Sequence, residues 1–281
     1  MTEHESPSSE APASSPPAAD APFAYRGRWA LVTGASMGIG EAFARALAAR
    51  GMNVVLCARS ADRLAALARE IEAEHGVRAA VVAADLARPG AAARAWAEAG
   101  RDRIIHLLVN NAGFGLHGRF DEAPMDRQSE MVVLNCTALL ELAHLALVEM
   151  RPRGSGAIVN IGSVAAFQPV PFKAVYAATK AFVLSLTQAL VEENRGSGVR
   201  ILCVSPGPTP TGFQAVAGSR VREGQVGVLR AEEVVDAALA ALDAGKAHVA
   251  PGFANRVSTV LGRMMPPALA ARIARRVNAS R

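Results

Sequence analysis

Thr33-Gly34-Ala35-Ser36-Met37-Gly38-Ile39-Gly40 decides how the rest of this 281-residue chain is read. It follows a short apolar run, Trp29–Val32, and leads into a helical pattern over Gly40–Arg50 that stops at Gly51. Glycines permit a tight turn and let backbone amides come close to an anion. The helix that follows points its positive end at the same place. The stretch predicts a phosphate cradle made by Gly34, Ser36, Gly38, Ile39 and Gly40. The spacing is not G-x-G-x-x-G, and a purely structural turn is the competing reading.

Outward from this turn, strand and helix patterns alternate. Apolar runs at Asn53–Ala58, Arg78–Ala83, Ile104–Val109, Ala157–Ile161 and Val199–Val204 read as strands. Ala61–Glu74, Pro89–Ala99, Met125–Met150, Ala174–Asn194 and Ala231–Ala244 read as helices. Strands apolar throughout and separated by helices imply a parallel sheet covered on both faces. Right-handed crossovers then give an α/β fold with one doubly wound, Rossmann-type sheet. Ligands in such sheets bind beyond the carboxyl ends of the strands.

Residues 1–25 are rich in Pro, Ser, Ala and Glu and are read as a disordered tail. They lack the basic start and apolar run of a secretory signal. Residues 26–252 are read as the catalytic domain. Cys57, Cys136 and Cys203 each sit in an apolar run and are expected as free thiols in a reducing compartment. No uninterrupted apolar run approaches the roughly 20 residues that span a bilayer, so a cytoplasmic location is expected. The net charge of +5 is concentrated at the C-terminus, where seven basic residues and no acid follow Ala244. That distribution does not suit a nucleic-acid surface spread over the fold.

The strand ends carry the chemistry. Arg59 and Ser60 end the second strand, where an acidic residue would hold a ribose 2′-hydroxyl. An arginine there forks onto a 2′-phosphate, or is a solvated residue at a helix start. Asp85-Leu86 after the third strand contacts an adenine edge, or Asp85 only caps a helix. Asn111, Ala112 and Gly113 follow the fourth strand and line the cleft. Asn135 lies inside a mostly apolar helix, where an amide needs partners. Ser163 closes the fifth strand, and Tyr176 and Lys180 stand four apart on the helix beyond it. Residues four apart share a helix face. A free tyrosine has a pKa of about 10, and a neighbouring ammonium lowers it.

As a set, the T-G-x-x-x-G-x-G turn at 33–40, N-N-A-G at 110–113, Asn135, Ser163, Y-x-x-x-K at 176–180 and Pro206-Gly207 resemble the short-chain dehydrogenase/reductase family over about residues 27–251. The resemblance implies a catalytic tetrad of Asn135, Ser163, Tyr176 and Lys180, acting on a small carbonyl or alcohol. It also implies a nicotinamide dinucleotide held by the residues above, with Pro206, Gly207, Thr209 and Thr211 at the nicotinamide end. Asn135 would hold a water that links Lys180 to solvent. Arg59 points to NADP(H), although Met37 stands where NADP-preferring members often carry a basic residue. No metal is expected. Phe114, Phe167, Val170, Pro171, Phe172 and Phe213 suggest an apolar substrate pocket, and Gly212–Leu229 takes the position of a substrate lid. The resemblance further implies a homodimer or homotetramer built on the helices at 125–150 and 174–195. A sensor without turnover, or isomerase or dehydratase chemistry, are the rival readings.

Residues 253–281 are read as a basic amphipathic helical extension. Phe253, Val257, Val260, Leu261 and Met264 share one side of a first helix, and Pro266-Pro267 breaks it. Leu269, Ile273, Arg272, Arg275 and Arg276 follow on a second. The pair either packs on the enzyme with its arginines in water, or meets an anionic membrane or an acidic acyl carrier.

Overall fold

The computed structural model describes residues 22–213, 217–218 and 226–279. Strand β1 (Trp29–Thr33) is buried from Ala30 onward, so both its faces need cover. The same holds for β2 (Asn53–Ala58), β4 (Ile105–Asn110), β5 (Gly156–Ile161) and β6 (Val199–Val204). With β3 (Ala79–Ala83) and β7 (His248–Val249) they form one parallel sheet, ordered β3-β2-β1-β4-β5-β6-β7. This is the doubly wound sheet that the apolar strands predict.

Alternate residues of each strand feed two cores. Val32, Leu56, Val109, Val159 and Leu202 pack under α1 (Gly38–Ala49), α2 (Ala61–His75) and α7 (Ala231–Asp243). Leu31, Val55, Leu108, Ile158 and Ile201 pack under α3 (Ala91–Gly100) and α5 (Leu139–Met150) on the other face. The end of α6 (Ala174–Glu193) joins the second core through Leu190 and Val191. The stretches 125–150 and 174–193 have the length and mean hydropathy of membrane-crossing helices, but both lie against this sheet.

Element ends differ from the sequence reading by two residues or fewer. Four departures are larger. The helix expected over 125–150 runs as α4 (Met125–Val132), a π-helical turn (Val133–Ala138) and α5. A 3₁₀ turn, Val164–Phe167, follows β5. Strand β7 is only two residues long, too short for any periodicity to register. The tail expected to reach residue 25 ends earlier: Phe23 is buried, stacks edge-on against Tyr25 at 5.1 Å, and Tyr25 donates to Asp243 at 2.7 Å. Residues 1–21 lie outside the described residues.

Helices α8 (Phe253–Met264) and α9 (Pro267–Asn278) complete the described chain. They bury their small and polar positions, Asn255, Thr259 and Gly262 on α8 and Ala270, Ala274 and Asn278 on α9. Their large apolar side chains face outward.

If Phe23 belongs to the core, Phe23→Ala lowers unfolding free energy by about 3 kcal/mol, the usual cost of emptying a buried phenyl site. Urea denaturation measures this; a change below about 0.5 kcal/mol, the usual surface effect, would return residues 22–25 to the tail.

Candidate functional site

The sheet reverses its winding between β1 and β4, and a crevice opens there. Two side chains hold it. Thr33 Oγ1 donates to the Val109 carbonyl at 3.1 Å and accepts from the Asn111 and Ala112 amides at 3.0 Å each. Asn111 Nδ2 donates to the carbonyls of Thr33 and Gly34 at 2.9 and 3.3 Å. The turn then needs glycine. Gly34 has φ +65°, and a Cβ on Gly40 would lie 2.2 Å from the Gly34 carbonyl oxygen and 2.5 Å from Asn111 Nδ2. The strand-to-helix turn can close this tightly only with glycine at 34 and 40, which leaves the amides of α1 open to an anion.

A cavity of about 620 Å³ runs along these strand ends, within the range of roughly 300–1,000 Å³ usual for ligand sites. It is lined by Gly34, Ser36, Gly38 and Ile39 from the turn, and by Arg59, Ser60, Asp85 and Leu86 beyond β2 and β3. Asn111, Ala112, Gly113, Ser163, Tyr176, Lys180, Pro206, Gly207, Thr209 and Thr211 line the rest of its floor and walls. Of the residues singled out by sequence for catalysis or cofactor binding, only Gly40 and Asn135 lie behind the lining. Both alternatives for Asp85 keep a basis, since it lines the cavity while accepting from the Ala87 amide at 3.2 Å and pairing with Arg88 at 3.3 Å. Arg59 is exposed and forms no ion pair among the described residues. Among those residues no cluster of His, Cys, Asp or Glu could hold a metal.

Ser163, Tyr176 and Lys180 meet on one wall. Ser163 Oγ accepts from the Ala165 amide at 3.1 Å, which caps the 3₁₀ turn and fixes the hydroxyl. Lys180 Nζ lies 5.9 Å from the Tyr176 ring centre and donates to the Ile161 carbonyl at 2.8 Å. Burial pushes the Tyr176 hydroxyl above its ordinary range, while its hydrogen bond with Ser163 pulls it back. Burial is thus the larger influence on Tyr176, where the sequence suggested the ammonium. Burial also lowers Lys180, to about 8, against the pull of the nearby Cys203 and Cys136 thiols.

Asn135 sits at the π-helical turn, 1% exposed. Its Oδ1 accepts from the Phe114 amide at 3.1 Å, and its Nδ2 donates to the Phe114 carbonyl at 2.9 Å and to Thr179 Oγ1 at 3.1 Å. Both ends of the amide are therefore used to tie the β4 loop to the Tyr176 helix. A π turn inserts one residue into a helix and often marks such a site.

The apolar pocket is only partly as expected. Phe114, Val170 and Phe213 line the cavity, with Phe213 5.6 Å from the Tyr176 ring. Phe167, Pro171 and Phe172 do not. Phe167 is buried under α8, with Arg263 stacked on it at 4.9 Å. Phe172 instead adopts φ +67°, strained for a side-chain-bearing residue, and its carbonyl accepts from Gly118 at 2.9 Å. Most of the expected lid, 214–216 and 219–225, lies outside the described residues. Sequence reading missed Arg127, Gln168, Lys173, Asn255, Ser258, Val277 and Asn278, all on the cavity wall. Asn255 donates to Gly227 and Pro251 at 2.9 and 2.8 Å and fills the space a Cβ on Gly207 would need. These residues carry no motif; only the fold places them.

The short chain dehydrogenase family model matches residues 28–221. The chain belongs to the short-chain dehydrogenase family. It is 32% identical over 244 residues to hydroxysteroid dehydrogenase-like protein 1 of Gallus gallus, covering 85% of this chain and 72% of that one. It is 34% identical over 186 residues to a 7beta-hydroxysteroid dehydrogenase of Collinsella aerofaciens, covering 66% and 70%. A short-chain dehydrogenase from Sphingobium yanoikuyae, solved in complex with NADPH, superposes with a TM-score of 0.78 at 38% identity, covering 84% of this chain and 93% of that one. The family member is thus an oxidoreductase that uses a nicotinamide dinucleotide.

The lowered Lys180 gives a pH test. Its ammonium is present below about pH 8 and is lost as pH rises through that value. Reductive kcat/KM for the reduced dinucleotide, which reports ionisations of the free enzyme, is expected to fall above pH 8. Lys180→Arg, charged at all accessible pH, should shift that limb upward whatever its absolute rate; a limb fixed near 8 would assign it elsewhere.

Proposed function

We propose that this protein is an NADP(H)-dependent oxidoreductase interconverting an apolar carbonyl compound and its alcohol, with Tyr176 as general acid and base. The observation that carries the reading is that Ser163, Tyr176 and Lys180 share one cavity with the glycine turn and with Arg59. The donor set fits the dinucleotide. The glycine turn and the start of α1 suit its pyrophosphate, and Arg59 and Ser60 suit a 2′-phosphate. A neighbour of the same family is in complex with NADPH, which supports this choice. When bound, the dinucleotide supplies the hydride.

The chain supplies placement and the proton. Ser163 Oγ and the Tyr176 hydroxyl hydrogen-bond the carbonyl oxygen, and Tyr176 gives up its proton as that oxygen becomes a hydroxyl. The raised pKa keeps Tyr176 protonated at neutral pH, ready for the reductive direction. Lys180, pinned by the Ile161 carbonyl, is the ammonium from which the phenolate regains its proton. Asn135 is a positioning residue that fixes the Phe114 loop and Thr179.

Phe114, Val170 and Phe213 favour an apolar substrate, and the names of the two relatives, hydroxysteroid dehydrogenases or likenesses of them, point the same way. Exposed Leu140, Val148 and Phe182 on α5 and α6 suit pairing across a two-fold axis. The three cysteines, free of disulfides, suit a reducing cytoplasm.

Tyr176→Phe is expected to keep NADPH affinity and lose about 10²–10⁴-fold in turnover on a bulky ketone; a near-normal rate would refute the role. Arg59→Ala is expected to weaken NADPH by about 10- to 100-fold, the worth of a charged bidentate contact of roughly 1.5–3 kcal/mol. It should leave NADH nearly unchanged. Fluorescence titration with both cofactors decides this, and equal losses would remove the NADP assignment. Light scattering should give a multiple of the 29.2 kDa chain mass; a monomer at micromolar concentration would count against pairing.

A further inference from the structure

Helices α8 and α9 are turned inside out relative to an ordinary surface helix. A surface helix buries its apolar stripe and shows its polar face. Here α8 buries Asn255, Thr259 and Gly262, and exposes Phe253 (79%), Val257, Val260, Leu261 and Met264 (78%). On α9 the buried line is Ala270, Ala274 and Asn278, and Leu269, Ile273 and Val277 stand in solvent. Eight large apolar side chains on two consecutive helices are therefore uncovered.

The charge around these stripes selects the occupant. Arg256 and Arg263 flank the stripe of α8, and Arg272 and Arg276 flank that of α9. Arg256, Arg272, Arg275 and Arg276 are exposed and enter no ion pair among the described residues. No Asp or Glu occurs after Asp243. A second copy of the chain would bring the same uncompensated positive charge against itself. An apolar stripe bordered by arginines instead matches the boundary between acyl chains and anionic headgroups.

The geometry points to α8 and α9 as a docking surface for an anionic phospholipid bilayer. It lies in the interface rather than crossing it. The surface also leads to the cavity. The inner sides of both helices form part of the cavity wall, through Ala254, Asn255 and Ser258 on α8 and Asn278 on α9. Val277 belongs both to the exposed stripe of α9 and to the cavity lining, so the apolar surface is continuous into the site. The end of α9 is clasped there, with the Asn278 carbonyl 3.2 Å from His117 Nε2. A bilayer held against this face would present lipid-dissolved compounds at the cavity lip.

The test is co-sedimentation of the full-length protein with vesicles of phosphatidylcholine alone and of phosphatidylcholine with 30 mol% phosphatidylserine. Binding to the anionic vesicles is expected, weakening in 0.5 M salt as the Debye length contracts, with little binding to the neutral ones. Arg256→Gln/Arg272→Gln/Arg276→Gln should reduce anionic binding on the order of a hundredfold, at about fivefold per basic residue near such a surface. Phe253→Gln/Val260→Gln/Met264→Gln should reduce it while adding solubility. Both variants should keep the thermal transition of the parent chain, which separates loss of docking from loss of fold. Negligible binding by the parent chain overturns the proposal, as does equal binding by parent and variants. A concentration-dependent oligomer that only the apolar variant abolishes, without vesicle binding, would assign the face to a second copy. Arginine-dependent capture of an acidic acyl carrier protein without vesicle binding would assign it to a protein partner. Because vesicle binding needs no turnover, its failure is separable from failure of the oxidoreductase reading.

Discussion

The structure depends on how tightly β1 and β4 can be joined at the point where the sheet changes winding direction. Thr33 and Asn111 make that joint by hydrogen-bonding backbone across the two strands. They draw the end of β4 so close to the first turn that Gly34 and Gly40 have no room for a Cβ. The absence of side chains at Gly34 and Gly40 is what leaves the helix amides uncovered. The open amides and the tight switch point thus follow from one steric condition. A buried polar chain carries the joint on to the next strand, since Asn110 donates to Asn160 at 3.0 Å and Asn160 to Thr187 at 3.0 Å. Groups buried this deeply must be paired, so the inner strands are held in register by side chains as well as by their ladders.

The wall that carries Ser163, Tyr176 and Lys180 works against solvation. Burying a phenol raises its pKa and burying an ammonium lowers its own, so Tyr176 rises above its ordinary value while Lys180 falls to about 8, and the ammonium becomes the more acidic of the two. A proton therefore passes downhill from the ammonium to a phenolate. The Ile161 carbonyl and the Ser163 hydroxyl are the specific contacts that set their positions within this low-dielectric wall. Burial thereby does chemical as well as structural work, and the same α6 helix turn serves both.

Much of this was legible because the chemistry-bearing residues stand at strand ends or at fixed helical spacing. Gly34, Asn111, Ser163, Tyr176 and Lys180 were found from such positions, and the sheet from its unbroken apolar runs. Phe23 and Tyr25 were not, because two aromatics bordering a Pro- and Ser-rich stretch look like the stretch they border. Strand β7 was too short to show a period. For α8 and α9 the period was read correctly, but a period names a face without saying which way it points. That depends on neighbours such as Phe167 and Gly207, which are distant in sequence from the helix. Asn255 and Asn278 were invisible for the same reason: an asparagine on a C-terminal helix has no motif to mark it.

The π-helical turn at Val133–Ala138 has a bearing on how the long helix is phased. Each residue of an α-helix turns the chain by about 100°, and a π turn absorbs one extra residue without breaking the helix. The segments on either side of Asn135 therefore follow two different angular settings, one matched to the sheet and one to the loop after β4. Arg127 stacks on Phe114 at 4.7 Å, and Gln128 donates to Phe120 and Ala123 at 3.1 Å each, only in the second setting. Deleting a single residue here would let the turn tighten to an ordinary α turn, with α4 and α5 keeping the faces they now present. The helix would survive as a helix, and the Asn135 amide would lose its place between Phe114 and Thr179.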